Sequence, residues 1–268
     1  MFGLSKQMVA KAAYDALMKL ELRITTTDTP RKIQSIHYVS SDAEATAAFI
    51  EVFSNSQSQT SDQCGKVSRC EYFDRADRAA VKVDLQKSPK HDMLAESLSS
   101  PPLQSQSFTT GSNSFAAARS QAVVPQYSEQ YRYNMVTSCG IDVQIYCGNL
   151  LDAKVDAIVN PANSQLLHGG GAARAIAAAA GKQLEEECRA YIRQHNELKV
   201  TQVMHTTAGK MNPPVLYVIH VVGPSASEFP NPADLYKAVF DTFDHCMLYA
   251  NNFLHVSSLC IPAVSSGE

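Results

Sequence analysis

The chain has 268 residues and a nearly balanced charge, with 23 Lys and Arg against 26 Asp and Glu and a formal net charge of −3. This balance gives no general attraction for a polyanion, so we expect no direct nucleic-acid binding. No run of about 18 apolar residues is present, so we expect neither a membrane-spanning helix nor a membrane partner. Seven cysteines without Cys-x-x-Cys spacing are typical of a reducing compartment, here nucleus or cytoplasm, and predict neither a disulfide framework nor a metal site.

The first 53 residues predict a helix, a strand and a second helix. Apolar residues recur at helical spacing from Lys6 to Leu20, whereas Lys32 to Ser40 alternate in the manner of a β-strand. Ser41 or Asp42 can cap the next helix, which carries Ala43 to Phe53. Because a strand flanked by helices needs a sheet to join, this segment is only part of a fold.

Residues 54–133 have a different composition. They are rich in Ser, Gln and Thr, contain Ser-Pro and Pro-Pro steps, and hold too few apolar residues for a core. Such a composition is typical of a flexible linker.

Strand and helix patterns alternate regularly over residues 134–268. This alternation predicts a layered α/β fold with a mostly parallel sheet. Gly181 stands where the C-terminus of the alanine-rich helix is expected. The predicted strands are 143–146, 157–159, 215–222 and 258–264, and the predicted helices are 172–180, 185–195 and 234–250.

Two loops of this second region have the composition of phosphate-binding loops. Gly169, Gly170 and Gly171 open the alanine-rich helix, so their N–H groups and the helix N-terminus favour an anion. The second loop, Val264 to Gly267, follows the last strand. Ligands of parallel sheets bind at the carboxyl ends of the strands, so both loops can contact one diphosphate.

Two familiar glycine-rich sites do not fit. A dinucleotide-binding dehydrogenase needs an acidic residue at a strand end about twenty positions after the glycines, whereas Glu185 to Arg189 lie within a predicted helix. The sequence His168 to Gly171 matches the oxyanion loop of lipases, but the Gly-x-Ser-x-Gly motif that carries the nucleophile of such enzymes is absent from the sequence.

A third pattern fits over residues 134–268. It consists of six motifs in order: Gly148–Leu151, Val155–Asn163, Gly169–Gly171, Ala178–Gly181, His220–Pro224 and Ile261–Gly267. With these motifs the region resembles the macrodomain family, and the variants Gly-Asn-Leu-Leu and Ser-Ser-Gly are closest to the macrodomains repeated in long macrodomain-containing poly-ADP-ribose polymerases. The resemblance implies a three-layer α/β/α fold with a mixed, mostly parallel sheet, and binding of ADP-ribose, free or attached to protein, with no cofactor beyond that ligand.

The resemblance also implies roles for single residues. Asn149 stands where most members have an Asp that accepts a hydrogen bond from adenine, so we expect weaker adenine selectivity without the charge. Asn163 matches the Asn that binds the distal ribose. Asn160 is expected to be structural, and Val221 to Pro224 to shape the rim. The expected diphosphate ligands are Gly169, Gly170, Gly171 and the adjacent Ala172 in the first loop, and Ser265, Ser266 and Gly267 in the second.

Catalysis is a separate question. Many macrodomain hydrolases have an Asp two residues after the glycines, and this chain has Ala173 there. Asn163 is then the residue left to orient a water molecule. Three functions stay open: an ADP-ribose binding module, an ADP-ribosyl-protein hydrolase, and an interaction or scaffold fragment with an incomplete cleft.

Both chain ends fall at one motif of the family. The chain ends with Ser-Ser-Gly followed by Glu268, and Met1 to Lys6 resemble the continuation of that motif in the family. The sequence therefore predicts the tail of one macrodomain (residues 1–53), a linker, and the truncated front of the next macrodomain (residues 134–268). Any polymerase domain is expected to lie outside this chain. We expect residues 1–53 to dock beside residues 134–268 as a circularly permuted macrodomain, with Phe2 near the distal ribose and the termini adjacent. The alternative is two unfinished halves that do not complement each other.

Overall fold

The computed structural model describes residues 4–26, 30–61, 132–212 and 214–265, and they belong to one compact unit. Helices and strands alternate along most of this unit. The helices are α1 (Lys6–Thr26), α2 (Ala43–Ser61), α3 (Gly171–Ala180), α4 (Lys182–His195) and α5 (Pro232–Tyr249). The strands are β1 (Ser35–Ser40), β2 (Arg132–Val136), β3 (Asp142–Cys147), β4 (Ala157–Ala162), β5 (Val203–Thr207), β6 (Tyr217–Val222) and β7 (Ser258–Ile261).

The seven strands form one sheet in the order β2-β3-β1-β7-β4-β6-β5. The five inner strands are parallel, whereas β2 pairs antiparallel with β3 and β5 antiparallel with β6 at the edges. This arrangement confirms the predicted mixed, mostly parallel α/β sheet.

The strand of the N-terminal segment lies inside the sheet. Ser35 of β1 stands opposite Asp142 of β3 on one side and Ser258 of β7 on the other, and both pairings are parallel. The prediction that this strand joins the sheet of residues 134–268 is therefore confirmed. Its interpretation as the C-terminal part of a macrodomain in permuted order stays a prediction.

Helices cover both faces of the sheet. Ile36 and Tyr38 of β1 are buried in one cluster with residues of α1, α2 and α5, and Val39 is buried in a second cluster with residues of α3 and α4. The alternation follows from the pleat of a strand, which points successive side chains to opposite faces. None of the helices in the described ranges is both long and apolar enough to cross a bilayer.

Helix α1 is held to α5 by charge as well as by apolar packing. Asp244 of α5 is 3% exposed and forms ion pairs with Arg23 and, at 3.4 Å, with Lys19 of α1. On the other side of α1, Tyr14 packs edge-on against Phe53 of α2, with ring centroids 5.1 Å apart. The N-terminal helices are thus integral to the core.

Several predicted boundaries are wrong. α1 continues to Thr26 and α2 to Ser61, so the first part of the predicted linker is helical, and β2 begins at Arg132. Residues 62–131 of that linker lie outside the described residues. β4 continues to Ala162 because β6 pairs with it over its whole length, including Pro161.

Two strands, β2 and β5, were missed, and both lie at an edge of the sheet. The last strand is shorter than predicted. β5 is an edge strand whose His205 and Thr207 are half-buried and polar, so it lacks the apolar run that marks an inner strand. β7 ends at Ile261 rather than Val264. By contrast, α3 and its C-terminal Gly181, with φ +80°, agree with the prediction.

Candidate functional site

The carboxyl edge of the sheet between β4 and β7 is the candidate position for a ligand crevice. β7 pairs only with Ala157 and Ile158 at the start of β4, so the two strands are unpaired beyond that point. The loops that follow β4, β6 and β7 all leave from this edge because these strands are parallel. Such a crevice is the usual ligand position in open α/β sheets.

The loop after β4 is held by Asn163. Its Oδ1 accepts a hydrogen bond from the Leu167 N–H at 2.9 Å, and its Nδ2 donates to the Leu167 carbonyl at 2.8 Å. Leu166 has a φ of +52° and a buried side chain, which fixes the loop further. In this conformation the Asn163 carboxamide shapes the loop, and its roles in ribose binding and in catalysis stay predictions.

The three glycines lie exposed between this loop and α3. A Cβ added at Gly169, Gly170 or Gly171 would meet no atom within 4 Å. Gly170 is the extended N-cap of α3, and its carbonyl accepts the first helical hydrogen bond, from the Arg174 N–H at 3.1 Å. The N–H groups before Arg174 have no acceptor within the helix, so they and the helix dipole are available to an anion. Ala172, in the first turn, is half-buried.

The loop after β7 meets the loop after β6. A Cβ added at Gly223 would lie 2.1 Å from the Ser265 Oγ and 2.8 Å from a Val264 methyl group. Ser265 has a φ of +65°, a left-handed conformation that turns the chain at this point. Gly223 thus lies directly against the loop after β7, and the role of Val221 to Pro224 at the rim stays a prediction. Ser266 and Gly267 lie outside the described residues, as does Phe2.

Asn149 lies exposed at the end of β3. Its Oδ1 accepts a hydrogen bond from the Leu151 N–H at 3.2 Å and caps a short 3₁₀ helix, Leu150–Asp152. The preceding Gly148 N–H bonds the Ser40 carbonyl of β1 at 2.9 Å. The Asn149 Oδ1 is thus used in a local hydrogen bond, and the role of Asn149 toward adenine stays a prediction.

A buried polar network lies behind the glycine loop. Asn160 of β4 and His220 of β6, both fully buried, are joined by an Asn160 Nδ2 to His220 Nδ1 contact of 3.0 Å. The other ring nitrogen of His220 lies 3.1 Å from the Thr206 Oγ1 and 3.8 Å from the Cys188 Sγ. Asn160 therefore has a structural role, although it ties β4 to β6 and not the loop after β4 as predicted.

Burial sets the protonation of this network. Desolvation lowers the pKa of His220 to about 3 and raises the pKa of Cys188 to about 12, so the imidazole is neutral and the thiol protonated at neutral pH. The ring of His168 lies over that of His220, with centroids 5.8 Å apart. This cluster was not predicted, because its members are far apart in the chain and only the fold brings them together.

Comparisons with known proteins identify the family. A family model described as Macro domain matches residues 159–268. An uncharacterised protein of Sulfolobus acidocaldarius is 37% identical over 48% of this chain and 67% of its own length. The O-acetyl-ADP-ribose deacetylase of Salmonella typhimurium is 35% identical over 47% of this chain and 67% of its own length. The chain therefore belongs to the macrodomain family, as its motifs indicated.

A longer protein and a solved structure are also similar to this chain. The protein mono-ADP-ribosyltransferase PARP9 of Mus musculus is 32% identical over 48% of this chain, which is 14% of that protein. The solved structure of an Oceanobacillus iheyensis macrodomain with ADP is 27% identical, covering 51% of this chain and 71% of that one, with a TM-score of 0.43.

Proposed function

We propose that this protein binds ADP-ribose, free or attached to a mono-ADP-ribosylated protein, in the crevice between β4 and β7. The observation that carries the proposal is the placement of two small-residue loops at one sheet edge. One is the exposed glycine run before α3, and the other is the Val264–Ser265 turn that packs on Gly223. The family membership of the chain supports the same ligand.

The site chemistry suits a diphosphate. Anions are stabilised at a helix N-terminus by unpaired N–H groups and by the dipole. Because Gly169, Gly170 and Gly171 have open space where side chains would project, phosphate oxygens can approach their backbone closely. The left-handed turn at Ser265 supplies the opposite wall of the crevice.

Binding without turnover is the favoured mode. Ala173, at the position where many hydrolases of the family have an Asp, is 8% exposed and has no acid–base group. General acid–base catalysis typically contributes about 10²–10⁴-fold, so its loss leaves a binding module. The similarity to an O-acetyl-ADP-ribose deacetylase favours hydrolysis of an ADP-ribose ester or adduct as the second candidate, with Asn163 orienting water.

Two assays test the proposal. Calorimetric titration with ADP-ribose is expected to give one saturable site, with Gly170→Glu, which places a carboxylate among the phosphate ligands, as the non-binding variant. Incubation with mono-ADP-ribosylated protein is expected to release no ADP-ribose. Release by the wild type that Asn163→Ala abolishes supports the hydrolase. A folded protein without saturable heat supports the scaffold fragment instead.

The cellular setting belongs to the same proposal. The similarity to mouse PARP9 supports a place among macrodomain-repeat ADP-ribosyltransferase-like proteins. ADP-ribosylated proteins of the nucleus or cytoplasm are the corresponding partners.

A further inference from the structure

We propose that His168, Cys188 and His220 form a Zn²⁺ site that fastens the glycine loop to α4 and β6. Each residue offers one ligand atom, and the three atoms lie within 4.8 Å of one another. They come from three separate segments: the loop before Gly169, the middle of α4, and the centre of β6. The proposal is independent of ADP-ribose binding and departs from the expectation of no metal drawn from sequence spacing.

The distances suit a zinc ion after a small contraction. Zinc binds histidine nitrogen at about 2.0–2.1 Å and thiolate sulfur at about 2.3 Å, so neighbouring ligand atoms of a tetrahedral site lie about 3.4–3.6 Å apart. The Cys188 Sγ and the His220 Nε2 are already 3.8 Å apart. His168 is on the loop before Gly169, and its distances to the other two ligand atoms, at most 4.8 Å, have to shorten when the metal binds.

The ligand types select the metal. Thiolate and imidazole are soft and borderline donors, which favour Zn²⁺ over Mg²⁺ or Ca²⁺. Two carboxylates of the same helix, Glu185 and Glu187, act electrostatically on Cys188 and add negative potential that favours a cation. Zinc binding displaces the thiol proton of Cys188 to solvent.

Two buried polar atoms without partners provide the second observation. The His168 Nε2 is shielded from solvent and has no hydrogen-bond partner, and the same is true of the Asn160 Oδ1. Leaving such groups unpaired is unfavourable, so an additional ligand is expected to complete the network. A metal bound by His168 would use the first of them directly.

Asn160 is positioned to support His220 as a ligand. At present its amide N–H donates to the His220 Nδ1, so the Nε2 carries the proton that Thr206 accepts. A half-turn of the amide places the unpaired Oδ1 against a protonated Nδ1, and the Nε2 lone pair then becomes available to the metal once its contact with the Thr206 hydroxyl is given up. A ligating histidine usually donates its other N–H to an oxygen in this way.

Cobalt substitution tests the site in the full chain. Co²⁺ added to the metal-free protein is expected to produce one equivalent of a thiolate-to-metal charge-transfer band that Zn²⁺ displaces. Cys188→Ser is expected to lose this band, and Asn160→Ala to weaken Co²⁺ binding by about 10- to 100-fold. Cys147→Ser is the control, since this half-buried thiol lies at the end of β3 and its loss is expected to leave the band unchanged.

A second variant covers the case in which Cys188→Ser does not fold. His168→Gln changes a loop residue and is expected to retain the circular-dichroism spectrum of the wild type while losing the increase in Tm that Zn²⁺ gives the wild type. Absence of the band in the wild type, its persistence in Cys188→Ser, or an unchanged zinc-induced Tm increase in His168→Gln would overturn the proposal.

Discussion

At the scale of single residues, Gly170 and Gly209 have different roles, the first in ligand binding and the second in folding. Gly170 is an extended position with open space around a Cβ, whereas Gly209 has a φ of +58° and its Cβ would lie 2.2 Å from the Ala180 carbonyl oxygen. The first glycine borders the crevice. The second follows β5 at the opposite edge of the sheet, where Thr207 pairs with the first residue of β6.

Substitution of these two glycines is expected to have opposite effects. Gly170→Val should lower the free energy of unfolding by no more than about 1 kcal/mol, since Val is a poorer N-cap than Gly, and abolish ADP-ribose binding, because the side chain occupies the space of the phosphate. Gly209→Ala should lower stability by about 1–3 kcal/mol through strain and overpacking and leave the affinity of the folded protein unchanged. Urea denaturation and calorimetric titration of both variants measure the two effects, and a larger loss of stability in Gly170→Val than in Gly209→Ala would contradict the open position assigned to Gly170.

The sequence identified the glycine run and Asn163 as site residues, but it could not predict the hydrogen bonds that Asn163 makes in the folded chain. Its spacing from the glycines identified a loop residue, whereas its two hydrogen bonds to Leu167 depend on the loop conformation, including the left-handed Leu166. For the same reason, the cluster of His168, Cys188 and His220 has no signature in the spacing of its members.

At the scale of elements, the contact between α1 and α5 joins the two ends of the chain. Asp244 is the only residue of α5 with ion pairs to α1 among the described residues, and its carboxylate is almost fully buried. Asp241, one turn earlier, instead bonds Lys237 of its own helix at 2.6 Å. The two aspartates therefore differ mainly in whether they hold α1.

Neutralising each aspartate tests this difference. Asp244→Asn should lower the free energy of unfolding by about 1.5–3 kcal/mol, because charged hydrogen bonds to Arg23 and Lys19 are lost in a buried position. Asp241→Asn should cost only about 0.3–0.5 kcal/mol, as is typical of i,i+4 pairs on a helix. Equal effects in urea denaturation would show that the salt bridge to α1 does not stabilise the fold.

Elements with many buried apolar residues were predicted more accurately than elements at the edge of the sheet. Inner strands such as β6 and amphipathic helices such as α1 have strong periodic patterns, and their positions were predicted to within a few residues, although α1 extends further than expected. The edge strand β5 carries half-buried polar residues, so its pairing is decided by the neighbouring strand rather than by its own sequence.

At the scale of the whole molecule, the sheet depends on a strand from the other end of the chain. β1 is the only strand in the described ranges that bridges β3 and β7, so without it the sheet separates into a β2–β3 hairpin and a β7-β4-β6-β5 group. Composition and motifs could predict that both segments were incomplete. The sequence also predicted that β1 joins this sheet, whereas the neighbours of β1 and its register required coordinates, since the pairing of distant strands is not encoded locally.

Dividing the chain tests this dependence. Residues 132–268 expressed alone are expected to lack a cooperative thermal unfolding transition, because removing β1, α1 and α2 exposes the large apolar cluster that they cover. Addition of residues 1–61 as a separate polypeptide is expected to restore the transition. Cooperative unfolding of residues 132–268 by themselves would show that the N-terminal segment is dispensable for the fold.

The most direct test of the account is a ¹⁵N–¹H NMR titration of the full chain with ADP-ribose. If ADP-ribose binds as proposed, one diphosphate contacts the backbone amides of both loops. The signals of Gly169, Gly170 and Gly171 and that of Ser265 should then shift together with a single dissociation constant. Gly209 should not shift, because it lies at the opposite edge of the sheet. Shifts confined to one loop, or no shifts in either, would contradict the convergence of the two loops on one ligand.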